Sequence, residues 1–288
     1  MTFARLARVA VLGVLAVTAC EPQPPRSPKP RPCPPPPEPA RSAAVVGTIG
    51  KLHLVESRYP LSRLGDVLAA FKPDLVLLGA RVDAYRDDRL EDASFEMTYV
   101  SHLAKRHGVP VEPVDWRRDD ELGAAPAAPD PWDVAPVVER EAQVLHQPAL
   151  YTFEEANGDA LEERVFFAWK AEARHRGGDP RAARRHAWLQ HLAASAVERH
   201  GKPKRVLAFV DVLDRGHVDA ALRMLDYAPK SPVEIVAKAR ETMAGDVPPE
   251  VLRDWSAQLA RARERAAAAD GAEKDLWGER ARVLDLAV

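Results

Sequence analysis

The chain has 288 residues, of which 46% are hydrophobic and 29% are charged, and its formal net charge at pH 7 is -2. This balance predicts a globular domain with a real core and lacks the basic excess that a nucleic-acid-binding surface needs. The two cysteines, Cys20 and Cys33, both precede the globular region. We therefore expect the fold to be held by packing without disulfides.

The first 20 residues have the order of a bacterial lipoprotein signal peptide. Cationic Arg5 and Arg8 precede an apolar run from Val9 to Val17, and small residues then lead to Cys20. The run is too short for a membrane span, which needs about 20 apolar residues. We expect residues 1–19 to be removed and Cys20 to carry palmitate-type acyl chains that anchor the protein to a membrane. An ordinary secretory signal with an incidental cysteine is the alternative.

A proline-rich segment follows the predicted anchor. More than half of the residues from Glu21 to Pro39 are proline, a composition that favours extended polyproline II over helix or sheet. Residues 20–42 are thus expected to form a semi-rigid stalk of roughly 60 to 70 Å, with a proline-rich recognition motif as the alternative. Glu21, instead of the aspartate associated with inner-membrane retention, favours the outer membrane of the cell envelope. Cys33 is either inert or a thiol for intermolecular pairing.

The first half of the predicted domain, residues 43–288, alternates strand and helix patterns. Apolar, β-branched runs predict buried strands and spaced apolar residues predict helices, in the order Ala44–Ile49 strand, Leu61–Phe71 helix, Asp74–Leu78 strand, Phe95–Ala104 helix and Val111–Asp115 strand. Such alternation predicts an α/β fold with a mostly parallel sheet, right-handed crossovers and flanking helices.

Helical patterns dominate the rest of the chain. Before one further strand at Val206–Val212, helices are predicted at Val137–Leu145, Leu161–Ala173 and Arg181–His200. After it, helices are predicted at Val218–Leu225, behind a capping box that begins at Ser231, and at Pro249–Ala269 and Lys274–Leu286. We expect a helical insertion before the last core strand and a helical C-terminal cap.

Three short motifs stand next to the predicted strands. They are a Gly-x-x-His motif (Gly50–His53), the strand DLVLL (Asp74–Leu78) and the pair Gly216-His217. Together they resemble the TraB/Tiki superfamily, which has relatives among haem-binding lipoproteins and erythromycin esterases. The resemblance covers residues 44–225 and implies that the motifs converge around a divalent metal ion of unknown identity. The chain departs from the family at the end of the second strand, where Gly79 stands in place of a glutamate.

The implied metal site has His53 and His217 as ligands, since both follow strands whose carboxyl ends line the ligand crevice of an open α/β sheet. Catalytic zinc takes three protein ligands, so a carboxylate must come from elsewhere. Glu96, in the first turn of a predicted helix, is the preferred catalytic carboxylate. The alternatives are Glu56, Asp211 and Asp214.

Two further residues are candidates for the site. Asp115 ends the third strand at the same crevice, and Arg184 resembles the arginine that the superfamily places on the helix before its last core strand. Each candidate also has a simpler structural interpretation. Asp115 would be a loop cap, Arg184 a solvated helix face, Glu96 a helix-dipole partner, and the histidines hydrogen-bonding or surface residues.

The resemblance implies two functions. One is a membrane-anchored, metal-dependent hydrolase, with peptide hydrolysis among the options, in which the metal activates water. The other is a non-catalytic lipoprotein that binds a ligand, haem being one, or a protein partner, because Gly79 replaces the glutamate. The sequence does not name the substrate or the partner. Serine-hydrolase elbows, phosphate loops, HExxH and GxGxxG motifs do not occur in it.

Replacing Cys20 tests the predicted anchor. Because acylation requires the Cys20 sulfur, Cys20→Ser should accumulate as an unprocessed precursor that takes up no labelled palmitate in a bacterial host. Cys33→Ser is the matched control and should be labelled as strongly as the wild type. Labelled Cys20→Ser protein in the membrane fraction would show that the lipoprotein interpretation is wrong.

Overall fold

One parallel sheet forms the centre of the protein. The computed structural model describes residues 41–116, 151–166, 180–238 and 247–288. Within them the strand order is β3-β2-β4-β1-β5, and all pairings are parallel. The strands are β1 (Ser42–Thr48), β2 (Leu75–Arg81), β3 (Val111–Asp115), β4 (Arg205–Asp211) and β5 (Ala228–Pro229).

Helices flank this sheet and follow it at the C-terminus. They are α1 (Ser62–Phe71), α2 (Val82–Arg86), α3 (Glu96–Arg106), α4 (Phe153–Ala156), α5 (Pro180–Arg199), α6 (Arg215–Met224), α7 (Pro232–Ala237), α8 (Pro249–Ala268) and α9 (Gly271–Ala287). Short 3₁₀ turns occupy Gly50–Leu54 and Leu90–Asp92, and residues 159–166 are helical. The predicted α/β class is confirmed. In the part of the chain described, no helix has the length and apolarity to cross a membrane.

The side chains of each central strand alternate between two buried layers. One layer, which includes Val46, Leu78 and Phe209, packs against α1, α3 and the C-terminal helices α8 and α9. The other, which includes Val45 and Leu77, packs against α5 and α6. Because both faces of the sheet are covered, its central strands are nearly continuous runs of buried apolar residues.

The chain leaves the two middle strands in opposite directions. α1, which follows β1, packs on one face of the sheet, whereas α6, which follows β4, packs on the other. β1 and β4 are hydrogen-bonded neighbours whose last residues, Thr48 and Asp211, are paired. In open α/β sheets, ligands bind beyond the carboxyl ends of strands at such a switch point. The topology therefore predicts a ligand crevice beyond Thr48 and Asp211, the last residues of β1 and β4.

The element boundaries differ from the sequence prediction at two places that affect the site. β2 continues to Arg81, three residues beyond the predicted end, so Gly79 lies inside the strand. α6 begins at Arg215, three residues before the predicted start, so Gly216 and His217 belong to its first turn and not to a loop. Ser231 is the N-cap of α7, as predicted, since its side chain accepts the Glu234 N–H at 3.4 Å.

Short elements escaped the sequence analysis altogether. β5 has two residues and α2 has five, which is too few for a hydrophobic period to emerge. The predicted helix Val137–Leu145 and part of Leu161–Ala173 lie outside the described residues.

The C-terminal helices hold the beginning of α3 in place. The Trp255 indole N–H donates to the Phe95 carbonyl at 2.9 Å, immediately before α3, and the Gln258 amide donates to the Thr98 hydroxyl at 2.9 Å. Both anchors are buried. α8 thereby fixes the turn that carries Glu96.

Gly79 lies where β2 passes closest to β4. A Cβ atom at this position would be 3.1 Å from the Val210 Cα and 3.2 Å from the Phe209 carbonyl oxygen. Both are backbone atoms of β4 and move only if the strand moves, which is why a glycine occupies the position. A glutamate at this position would require β4 to shift by a few tenths of an ångström.

This close approach predicts opposite effects for two glycine substitutions. Gly79→Ala should lower the free energy of unfolding in urea by about 1 to 3 kcal/mol, because the added methyl group overpacks the sheet. Gly278 in α9 is the matched control, since a Cβ there meets nothing within 4 Å. Gly278→Ala should raise the stability by roughly 0.5 to 1 kcal/mol through helix propensity. A neutral Gly79→Ala would contradict the packing analysis.

Candidate functional site

A cavity of about 720 Å³ opens at the switch point between β1 and β4. Its walls are residues 49–52, Val55 and Glu56 after β1, residues 211–213 at the end of β4, and Tyr151. We call it the switch-point cavity. Its volume lies within the range of about 300 to 1,000 Å³ that is typical of small-molecule sites.

Asp211 is the ionisable side chain that β4 presents to this cavity. It is solvent-exposed, and one of its oxygens, Oδ1, accepts the Leu213 N–H at 2.9 Å. Protein atoms crowd the carboxyl group even though solvent reaches it. This partial desolvation, assisted by the charge of Asp214, raises the pKa of Asp211 to about 6.

Glu96 lies nearby, close to Thr48 and Gly50 at the end of β1, but it does not line the cavity. It is fully buried, and neither carboxyl oxygen has a hydrogen bond of regular geometry among the described residues. The Thr48 hydroxyl donates instead to the Val210 carbonyl at 3.2 Å. Desolvation therefore dominates over the weaker influence of Thr48 and Gly50 and, with the Asp211 charge, raises the pKa of Glu96 to about 7.

His53 uses both ring nitrogens to shape the turn after β1. Its Nε2 accepts the Ile49 N–H at 3.2 Å, and its Nδ1–H donates to the Tyr59 carbonyl at 2.9 Å. Burial lowers the pKa of His53 to about 4, so the ring is neutral in this tautomer. Gly50 has φ of +54°, a left-handed conformation that favours glycine. The Gly-x-x-His motif thus has a complete structural explanation as a turn.

An ion cluster joins the ends of β3 and β4. Arg185 of α5 donates to Asp115 at 3.1 and 3.2 Å and to Asp214 at 2.8 and 2.6 Å. Burial alone would lower the pKa of this guanidinium, but the two carboxylates outweigh it and raise the pKa. Asp115 also caps the Trp116 N–H at 2.8 Å. The predicted Arg184 is exposed, so the arginine at the strand ends is its neighbour Arg185.

His217 lies against a second cavity, of about 550 Å³, which we call the apolar cavity. Its lining is Glu162, Val165, Phe166, Gln190, Val212, Leu213, Gly216, His217 and Ala220. The His217 ring stacks on His186 with centroids 3.9 Å apart, and burial lowers the pKa of both, that of His186 to about 4. His53 lines neither cavity and makes no ring contact with His217.

The arrangement does not fit the divalent metal that the resemblance implies. A metal on His53 would displace one of two backbone hydrogen bonds, and His217 is stacked beside a different cavity. Over the described ranges, no three His, Cys, Asp or Glu side chains are grouped as metal ligands. Of the predicted carboxylates, Glu56 and Asp211 share the switch-point cavity, while Asp115 and Asp214 bind Arg185.

Some residues at the site had no usable signal in the sequence. Tyr151 lines the switch-point cavity but is distant in sequence from β1 and β4. The sequence predicts a helix around His186 but does not show that this side chain faces His217. Comparison with known protein families, curated proteins and solved structures gives no match.

The buried carboxyl group of Glu96 predicts a pH-dependent stability. Its pKa of about 7 in the fold exceeds the ordinary value of 4.5, so the folded state retains a proton that the unfolded chain loses. Stability should fall as pH rises through this window, by on the order of 3 kcal/mol between pH 4.5 and 8. Glu96→Gln should remove the Glu96 part of this loss when urea unfolding is compared at pH 5 and pH 8, and should keep only the smaller slope that the raised pKa of Asp211 produces. Exposed Glu250→Gln is the control, and a wild-type pH slope in Glu96→Gln would contradict the assignment.

Proposed function

We propose that this protein is a lipid-anchored component of the bacterial cell envelope, tethered to the outer membrane, whose α/β domain binds a small-molecule ligand in the switch-point cavity. The observation that carries the proposal is the cavity itself, which opens where the chain leaves β1 and β4 toward opposite faces and has exposed Asp211 in its wall.

The charges around the cavity favour a ligand with a polar end. Arg58 donates to Glu56 at 2.8 and 2.7 Å, and these hydrogen bonds lower the pKa of Glu56 to about 2, so that it is ionised. Lys51 in the same wall is engaged by Glu279 at 2.7 Å. Asp211 is therefore the cavity carboxylate whose second oxygen is open to an incoming hydrogen-bond donor.

A second candidate function is hydrolysis by acid–base chemistry, in keeping with the hydrolase that the resemblance implies. It is favoured by the two coupled carboxyl groups, Asp211 with a pKa of about 6 and Glu96 with a pKa of about 7. Groups that change protonation near neutral pH are suited to proton transfer. Asp211 would accept a proton from water in the cavity, and Glu96 would act as a positioning residue behind it.

Equilibrium dialysis against a mixture of compounds can test both candidates. The unlipidated chain would be dialysed against the small-molecule extract of bacterial envelopes, and retained compounds would be identified by mass spectrometry. Val55 lines the cavity and is 76% exposed, so Val55→Trp should block the cavity without disturbing the core. We expect at least one compound to be retained by the wild type and reduced about tenfold or more by Val55→Trp.

The matched control is Met224→Trp, since Met224 is 82% exposed on α6 and lines neither cavity. It should retain the same compounds as the wild type. Identical retention by Val55→Trp and the wild type would contradict binding at the switch point. Recovery of the compound intact supports binding alone, whereas recovery as hydrolysed fragments with the wild type but not with Asp211→Asn supports the hydrolase.

A further inference from the structure

The two cavities of the domain share a wall. Val212 and Leu213, which connect β4 to α6, line both the switch-point cavity and the apolar cavity. Leu213 is only partly buried. A ligand that passes over this short segment would therefore contact both cavities at once.

The chemistry of the two cavities is complementary. In the switch-point cavity Glu56 is paired with Arg58 and Lys51 with Glu279, whereas the Asp211 carboxylate has no ion pair among the described residues. Five of the nine residues that line the apolar cavity have apolar side chains, namely Val165, Phe166, Val212, Leu213 and Ala220.

The polar residues of the apolar cavity add no unpaired charge. Glu162 is bound to Arg215 at 2.6 Å, and His217 is neutral because burial lowers its pKa. A charged group would gain nothing there, whereas a hydrocarbon would be removed from water. One cavity is thus suited to a cation and the other to an apolar chain.

We propose that the ligand of this site is a cationic amphiphile, with an ammonium head at Asp211 in the switch-point cavity and a hydrocarbon tail in the apolar cavity beside His217. The inference rests on the proposed function and names its ligand class. The Asp211 carboxylate disfavours an amphiphile with a carboxylate or phosphate head at the same position, since like charges repel.

The head and tail are tested separately with simple alkyl probes. Calorimetric titrations at pH 7.5 would use octylamine, butylamine and octanoate with the chain that begins at residue 20, carries Cys20→Ser and has no lipid. Octylamine should bind about tenfold or more tightly than butylamine, because each buried methylene contributes roughly a threefold to fourfold gain. It should also bind about tenfold or more tightly than octanoate, which lacks the cation.

Two substitutions locate the head and the tail. Asp211→Asn should weaken octylamine by about fivefold or more through loss of the charge pair, whereas Asp254→Asn on the exposed face of α8 should change nothing. Ala220→Phe fills the apolar cavity and should bring octylamine to the affinity of butylamine, with Ala260→Phe on α8 as the exposed control. Gln190→Trp, also in the cavity lining, provides a second blocking variant if Ala220→Phe is poorly folded.

Several results would overturn the inference. If octanoate binds as tightly as octylamine, the site does not require a cationic head. If butylamine and octylamine bind with equal affinity, the site does not bind a hydrocarbon tail. If the titrations give either of these results while Val55→Trp still lowers the retention of compounds in dialysis, the amphiphile is refuted but the ligand site at the switch point is supported. If dialysis also shows no dependence on Val55, both the ligand class and the proposed function are refuted.

Discussion

The position of the candidate site depends on the ion cluster that Arg185 forms at the strand ends. It binds two carboxylates with four hydrogen bonds and so ties α5 to the end of β3 through Asp115 and to the turn after β4 through Asp214. That turn carries Val212 and Leu213, the common wall of both cavities. Removing Arg185 would leave the buried carboxylates of Asp115 and Asp214 without this partner and would destabilise the turn. Both cavities are therefore coupled to an ion cluster that lines neither of them.

On the opposite side of the site, neutral hydrogen bonds hold the turn around His53. His53 satisfies the Ile49 N–H and the Tyr59 carbonyl, and the Tyr59 hydroxyl donates to the Gly47 carbonyl at 2.7 Å. This neutral network fixes the turn, and α3 then places Glu96 behind it in a region with little polar compensation. Burial raises the pKa of Glu96 to about 7 and that of Asp211 at the cavity to about 6. Both carboxyl groups therefore change protonation closer to neutral pH than exposed ones do.

The sequence patterns located the strands well and the site residues only in part. Buried strands are local apolar runs, so β1, β3 and β4 could be predicted almost to the residue. The resemblance placed an arginine on the helix before the last core strand and pointed to Arg184, but the arginine that binds at the strand ends is its neighbour Arg185, because the facing side of a helix is set by its packing. The position of His53 after β1 was predicted correctly, yet its hydrogen-bond partners arise from a turn whose shape no periodicity encodes.

By itself, the sequence determined the α/β alternation, the covered sheet and the absence of cysteine from the domain, because each of these follows from composition or from neighbours along the chain. Only the tertiary structure decided that residues 49–52, Val55, Glu56, Tyr151 and residues 211–213 line one cavity, that a side chain at Gly79 would crowd β4, and that burial raises the pKa of Glu96. These properties depend on how closely distant segments approach one another. Desolvation and steric exclusion vary over a few ångströms, a distance that is set by packing across the whole domain and not by the order of residues within any one element.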